Sequence, residues 1–199
     1  MDIMRTYWYW QSSRRQWNLP NSISLSRALI GITMPLWWLG GETWLLAAIV
    51  YAGVSDWLDG WLARHKKEVT PIGAVIDPLA DKCFTNPFLL GIAITTGSLW
   101  FSLLFVVNLL YDVDNTYQRR FDIARAFRGM YGPPSKPVTW LSKTKTAVLF
   151  VLMVIALYPE HAYAQYVSLD QYAAAALLLV VWSWFMNRRE TIERYLINR

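Results

Sequence analysis

Four aspartates interrupt two apolar stretches of the sequence, and their type and spacing suit chemistry on a charged substrate. Asp56 and Asp59 stand at i and i+3 near the end of one stretch, so a helix places both on one face. Asp77 and Asp81 stand at i and i+4 near the start of the next. An ionised carboxylate inside a membrane span costs roughly 2.5–3.5 kcal/mol. Four such negative charges need compensating positive charge, and a bound metal ion is the simplest source of it.

The loop 64–71 joins the two stretches as a hairpin, so the two acidic faces can turn toward each other. All-oxygen ligation is typical of hard cations such as Mg²⁺ or Mn²⁺. Two ions about 3.5–4 Å apart are the usual arrangement for displacement at phosphorus. We therefore expect Asp56, Asp59, Asp77 and Asp81 to hold divalent metal at one edge of a helix bundle.

Small and basic residues flank the aspartates. Gly60 and Ala63 continue the first acidic face, and Gly73 begins the second. Glycines let a diphosphate approach the backbone, and close helix packing is their alternative role. Arg64 could pair with phosphate oxygens or anchor the helix at the membrane surface.

Two other interpretations of the aspartates stay open. One is a structural ion-pair network with Arg27, Arg64 and Lys82, and the other is a cation carrier. A carrier needs a polar path through the whole bilayer, yet the far halves of the apolar runs hold only Glu42 and Glu160, near their ends. This asymmetry favours a one-sided active site.

The elements that position these residues are membrane helices. The chain is 55% hydrophobic and 17% charged, against roughly 25% charged in a soluble domain. The fold class predicted is therefore all-α: a polytopic membrane protein with six transmembrane helices. The six predicted spans are 23–39, 43–62, 72–96, 99–113, 142–158 and 169–186. Turn signals at Gly40-Gly41 and Gly97-Ser98 separate two pairs of spans.

Basic residues occur only in alternate connections between the spans. The positive-inside rule then places both termini and the active-site edge in the cytoplasm. The same distribution explains the net charge of +5 without a nucleic-acid partner. Residues 3–17 mix tryptophan with arginine and predict an interfacial amphipathic helix. We divide the chain into this interfacial segment, 1–20, and a transmembrane domain, 21–199, with a partly helical connection at 118–128.

The acidic segment resembles the signature of the CDP-alcohol phosphatidyltransferase family. That signature is D-x-x-D-G-x-x-A-R, eight residues, then G-x-x-x-D-x-x-x-D, and every fixed position is met from Asp56 to Asp81. Leu19-Pro-Asn21 and Leu25-Ser-Arg27 also resemble the start of the family's first span.

The resemblance implies an enzyme of phospholipid biosynthesis in the bacterial inner membrane, acting as a homodimer. It would transfer the phosphatidyl group of CDP-diacylglycerol to a polar alcohol acceptor and release CMP. The four aspartates would hold two Mg²⁺ or Mn²⁺ ions, and Asp81 would be the general base. The residues implied for the CDP-lipid pocket are Asn21, Gly60, Ala63, Arg64, Thr70 and Gly73.

The acceptor is predicted from the region around the fourth and fifth spans. Ser142-Lys143-Thr-Lys145-Thr resembles the corresponding segment of phosphatidylglycerophosphate synthases, which favours glycerol 3-phosphate as acceptor. Lys143, Arg119 and Arg120 are the acceptor-binding candidates. Tyr111-Asp112 stands where those synthases carry Arg-Glu. Phosphatidylglycerol, as in the cardiolipin synthases, and another head group remain the alternatives.

Overall fold

The computed structural model describes residues 18–66, 70–128, 140–158 and 168–197. Within these ranges the chain is helical, and no strand occurs in them. The helices are α1 Leu19–Ile32, α2 Met34–Leu39, α3 Glu42–His65, α4 Gly73–Thr96, α5 Leu99–Gln118, α6 Arg120–Phe127, α7 Trp140–Leu157 and α8 Leu169–Ile197. The all-α prediction is confirmed. The predicted interfacial helix at 3–17 lies outside the described residues.

The first predicted span, 23–39, is two helices rather than one. The Asn18 side chain caps α1 by accepting from the Asn21 amide at 3.1 Å. The helix ends at Ile32 because Pro35, in the first turn of α2, has no N–H to continue the hydrogen-bond ladder. The two predicted turns are confirmed, since Gly41 and Gly97 have φ of 88° and 61° and separate consecutive helices.

Among the described residues, three helical stretches are long and apolar enough to cross a membrane. They are Glu42–Ala63, Trp140–Leu157 and Leu169–Glu193. The protein is an integral membrane protein. The helix at the position of the fourth predicted span, α5, is longer than that prediction, because it continues past Val113 to Gln118. The helix expected within 118–128 is α6.

The chain forms two compact units, and the division falls within α4 between Phe84 and Thr85. In the first unit α1 packs against α3, and α1 also approaches α4 closely at Gly31. A Cβ on that glycine would lie 2.1 Å from the Cys83 carbonyl oxygen. The first unit carries all four signature aspartates and α6.

The second unit contains the rest of α4 with α5, α7 and α8. Its helix α8 packs against both α5 and α7. The core of this unit includes buried polar side chains as well as apolar ones, among them Asn108, Asp112 and Lys145.

Candidate active site

The signature aspartates meet around one arginine of α1. Arg27 is fully buried, and its guanidinium lies between carboxylates from α3 and α4. Nη1 lies 3.0 Å from Asp56 Oδ1. Nη2 lies 3.5 Å from Asp59 Oδ2 and 3.2 Å from Asp81 Oδ1. Three of the four predicted metal ligands therefore share one cationic partner.

Ser24 lies one helical turn before Arg27 and brings in the fourth aspartate. Its Oγ lies 2.6 Å from Asp59 Oδ2 and 2.7 Å from Asp77 Oδ1. The hydroxyl has a single proton, so it donates to one carboxylate at a time. The spacing argument that both acidic faces turn toward each other therefore agrees with the structure.

The cluster has a buried side and an open side. Arg27 is 0% exposed and the Asp59 side chain is 4% exposed. The Asp81 and Asp56 side chains are 34% and 58% exposed. A substrate can therefore reach Asp56 and Asp81 from outside, while Ser24 and Arg27 form the floor of the cluster.

The donor set suits a hard divalent cation in chemistry and charge. Four carboxylates lie in the cluster, and three of them pair with Arg27, whose single positive charge offsets one of four formal negative charges. Oxygen donors of this type are those that Mg²⁺ and Mn²⁺ prefer. As the side chains stand, however, no three acidic, histidine or cysteine groups among the described residues form a ready-made metal cage. Three of the carboxylates are instead turned onto Arg27, and Asp77 is turned onto Ser24.

Three of the six residues expected to bind the CDP-lipid contact one another beside the start of α4. Asn21 Nδ2 donates to Thr70 Oγ1 at 2.9 Å, and the Gly73 amide donates to the same oxygen at 3.0 Å. A Cβ on Gly73 would lie 2.6 Å from Asn21 Oδ1. The glycine therefore makes room for the Asn21 side chain.

The other three residues of this set follow the acidic face of α3. Gly60 and Ala63 are half-buried near the C-terminal end of that helix. Arg64 lies on the last turn of α3, and its side chain is outside what the structure describes.

The acceptor-binding candidates do not belong to one unit. Arg119 and Arg120 lie at the start of α6 in the first unit, and Lys143 lies on α7 in the second. Arg120 and Lys143 are exposed, and the Arg120 guanidinium lies 4.5 Å from the centroid of the Phe121 ring. The Nε of Arg119 is buried and finds no hydrogen-bond partner among the described residues.

Sequence reasoning named Lys145 within the motif that begins at Ser142 but did not choose it as a site residue, unlike Lys143. The Nζ of Lys145 lies 2.9 Å from Asn108 Oδ1 and 3.6 Å from Asp112 Oδ1, and it sits 4.1 Å from the centroid of the Tyr111 ring. Residues two apart on a helix face different directions, so one lysine is exposed and the other is buried. The sequence feature that could have pointed to Lys145 was Asp112, because an aspartate in an apolar run needs a cationic partner.

Ser24 was also missed. Arg27 was named as a partner in a structural network and within the family-like start of the first span, but not as a site residue. The signal for both was local: two polar side chains at i and i+3 place a hydroxyl and a guanidinium on one face of an apolar helix.

Comparisons with known proteins show the family to which the chain belongs. The family model described as CDP-alcohol phosphatidyltransferase matches residues 17–186. A CDP-diacylglycerol–glycerol-3-phosphate 3-phosphatidyltransferase of Pseudomonas fluorescens is 33% identical over 178 residues, which are 86% of this chain and 89% of that protein. Proteins of the same name from Shigella flexneri serotype 5b and Escherichia coli K12 are 27% identical over 172 residues, covering 84% of this chain and 91% of theirs. The resemblance in the acidic signature is thereby confirmed, and the chain belongs to the CDP-alcohol phosphatidyltransferase family.

Proposed function

We propose that this protein transfers the phosphatidyl group of CDP-diacylglycerol to glycerol 3-phosphate and releases CMP. The observation that carries the proposal is the convergence of the four signature aspartates around Ser24 and Arg27. The acceptor follows from the curated relatives, whose shared name specifies glycerol 3-phosphate. That name favours glycerol 3-phosphate over phosphatidylglycerol, and membership of a transferase family argues against a cation carrier.

In the proposed reaction one bond forms and one breaks at the phosphatidyl phosphorus. The acceptor hydroxyl oxygen bonds to that phosphorus, and the bond from phosphorus to the CMP oxygen breaks. The hydroxyl proton passes to the Asp81 carboxylate. Asp81 suits this role because its side chain is 34% exposed and is held 3.2 Å from Arg27. A general base needs both access to the reacting hydroxyl and a fixed position.

Divalent cations complete the proposed site. Asp56, Asp59, Asp77 and Asp81 would hold Mg²⁺ or Mn²⁺, with two ions as the expected number. Bound metal would neutralise charge on the attacked phosphoryl group and on the departing CMP. The excess of carboxylates over the Arg27 guanidinium supports this part of the proposal.

We place the nucleotide beside the cluster of Asn21, Thr70 and Gly73. The Asn21 side chain is held by Thr70 and is buried, so it is pre-oriented as a hydrogen-bonding group. Gly60 and Ala63 offer a small-residue surface on α3, and Arg64 would pair with the diphosphate.

The phosphate of the acceptor would bind to basic side chains. Arg119 supports this assignment because its buried Nε has no hydrogen-bond partner among the described residues, and a bound anion would supply one. Arg120 and Lys143 are exposed and would add positive charge, which attracts a phosphate before it binds.

We further propose six spans, with the active site and both termini in the cytoplasm. The three stretches long and apolar enough to cross a membrane support this topology, and so do the basic residues in alternate connections. Segment 1–20 would lie in the membrane interface. The bacterial relatives favour the inner membrane, and a homodimer is the proposed assembly.

The test is an acceptor panel with purified protein in mixed micelles. CDP-diacylglycerol and Mn²⁺ or Mg²⁺ are supplied with glycerol 3-phosphate, phosphatidylglycerol or serine, and the lipid product is identified by mass. We expect phosphatidylglycerophosphate and CMP in equal amounts with glycerol 3-phosphate, and no reaction in chelator. Asp59→Asn should be inactive, while Glu42→Gln, at the other end of the same helix, should keep its activity. Cardiolipin from phosphatidylglycerol with no product from glycerol 3-phosphate would refute the proposed acceptor.

A further inference from the structure

Two side chains on one face of α1 reach all four signature aspartates. Arg27 pairs with Asp56, Asp59 and Asp81, and Ser24 contacts Asp59 and Asp77. We propose that Ser24 and Arg27 are positioning residues that hold one oxygen of each carboxylate and direct the other oxygens toward the divalent cations. This inference rests on the metal-dependent transfer proposed above.

Each signature carboxylate contacts Arg27 or Ser24 through one of its two oxygens. The ion pairs of Arg27 run to Oδ1 of Asp56, Oδ2 of Asp59 and Oδ1 of Asp81. The hydroxyl of Ser24 reaches Oδ1 of Asp77. A carboxylate has two acceptor oxygens. Each of these contacts therefore leaves a second oxygen as a donor for a cation.

Ser24 and Arg27 lie on the buried side of the cluster. Arg27 is 0% exposed, whereas the Asp56 and Asp81 side chains are 58% and 34% exposed. Ser24 is also fully buried. The two α1 residues thus contact the carboxylates from the buried side. The exposed side of the cluster stays accessible to a cation and a substrate.

The positive charge of Arg27 stabilises the cluster of carboxylates. A buried guanidinium is costly to desolvate unless anions surround it, and four neighbouring carboxylates repel one another unless a cation separates them. Arg27 Nε and Nη2 have no hydrogen-bond partner among the described residues, and Nη1 donates to the Ala52 carbonyl only at 3.5 Å. The guanidinium is therefore held mainly by its charge. It gathers the carboxylates before metal binds.

Removing a group that orients a metal-ligating carboxylate typically weakens metal binding by about 10–100-fold. Ser24→Ala removes one hydroxyl, so we expect Mn²⁺ to bind roughly tenfold more weakly. Arg27→Gln removes three ion pairs, so we expect a loss near the upper end of that range. Arg27→Lys keeps the charge and should recover part of the affinity.

Two variants serve as matched controls. Ser26→Ala removes a hydroxyl from the same helix, where Ser26 Oγ lies 2.6 Å from Tyr51 Oη. Arg188→Gln removes an arginine that lies 2.7 Å from Asp114 in the second unit. Both variants lose one polar interaction of the same chemical type without touching a signature aspartate, so Mn²⁺ affinity should match that of the parent protein.

The experiment is a Mn²⁺ titration of the full-length protein in detergent, followed by electron paramagnetic resonance of free Mn²⁺. Unfolding temperatures are measured in chelator and in saturating Mn²⁺. A positioning role predicts weaker Mn²⁺ binding by Ser24→Ala and a smaller rise in unfolding temperature on adding Mn²⁺. A purely structural role lowers the unfolding temperature equally in both conditions and leaves the affinity unchanged.

The outcomes separate this inference from the proposed function. If the parent protein binds no Mn²⁺, the metal requirement and the inference both fail. If the parent binds Mn²⁺ and Ser24→Ala binds it as well as Ser26→Ala does, only the positioning role fails. Tighter binding by Arg27→Gln would also overturn the inference, because Arg27 would then compete with the metal. If Arg27→Gln does not fold, the Mn²⁺ affinity of Ser24→Ala alone decides whether the positioning role holds.

Discussion

A substitution at Gly31 tests how closely α1 and α4 must approach for the site to assemble. A Cβ at this position would lie 2.1 Å from the Cys83 carbonyl oxygen and 2.6 Å from Phe84 Cα. These contacts are with backbone, so no side chain can rotate away. Gly31→Ala must therefore push the two helices apart by about 1 Å, since non-bonded carbon contacts lie near 3.5 Å.

The expected cost combines two opposing effects. Overpacking lowers the free energy of unfolding by about 1–3 kcal/mol and sometimes more. Replacing a helical glycine by alanine raises it by about 1 kcal/mol. Because the contact is much shorter than van der Waals distance, we expect a net loss of about 2 kcal/mol. For a chain of this size that lowers the unfolding temperature by roughly 4–8 °C. Gly31 lies one turn after Arg27, and a misplacement of about 1 Å at reacting groups can cost about 100-fold in rate.

Gly53→Ala is the matched control, because a Cβ there meets no atom within 4 Å. It should leave activity unchanged and slightly raise the unfolding temperature. Both variants are compared by thermal unfolding in detergent and by CMP release at saturating substrate. If Gly31→Ala unfolds at the parent's temperature and keeps its activity, the close approach of α1 and α4 is wrong.

Three further substitutions test other contacts. Lys145→Met removes the buried ammonium that pairs with Asp112 and should destabilise the protein by about 3 kcal/mol in thermal unfolding. Adding Asp112→Asn should restore most of that loss. A double variant no more stable than the single one would argue against the pair. Thr70→Val removes the oxygen that accepts from Asn21 and from the Gly73 amide. It should cost about 1–3 kcal/mol of stability and raise the KM for CDP-diacylglycerol. Parental stability and parental KM would contradict this prediction. Asp81→Asn should abolish CMP release while the unfolding temperature stays close to that of the parent, and full activity would remove Asp81 as the base.

Local patterns were enough for the helical fold and for the grouping of the aspartates on two helix faces. The turns at Gly41 and Gly97 were predictable because left-handed backbone favours glycine. The break between α1 and α2 was also encoded locally by Pro35, although the apolar run concealed it. Hydropathy sums over a window and does not register the single missing N–H that ends a helix.

The sequence by itself determined the acidic faces of α3 and α4, since a helical period of 3.6 residues places Asp56 with Asp59 and Asp77 with Asp81. Only the tertiary structure decided which residues meet them: Ser24 lies 53 positions before Asp77. Most faces of a membrane helix are apolar, so periodicity does not reveal the face that points inward. That depends on packing between segments distant in the chain, which is also what buries Lys145 and leaves Lys143 exposed.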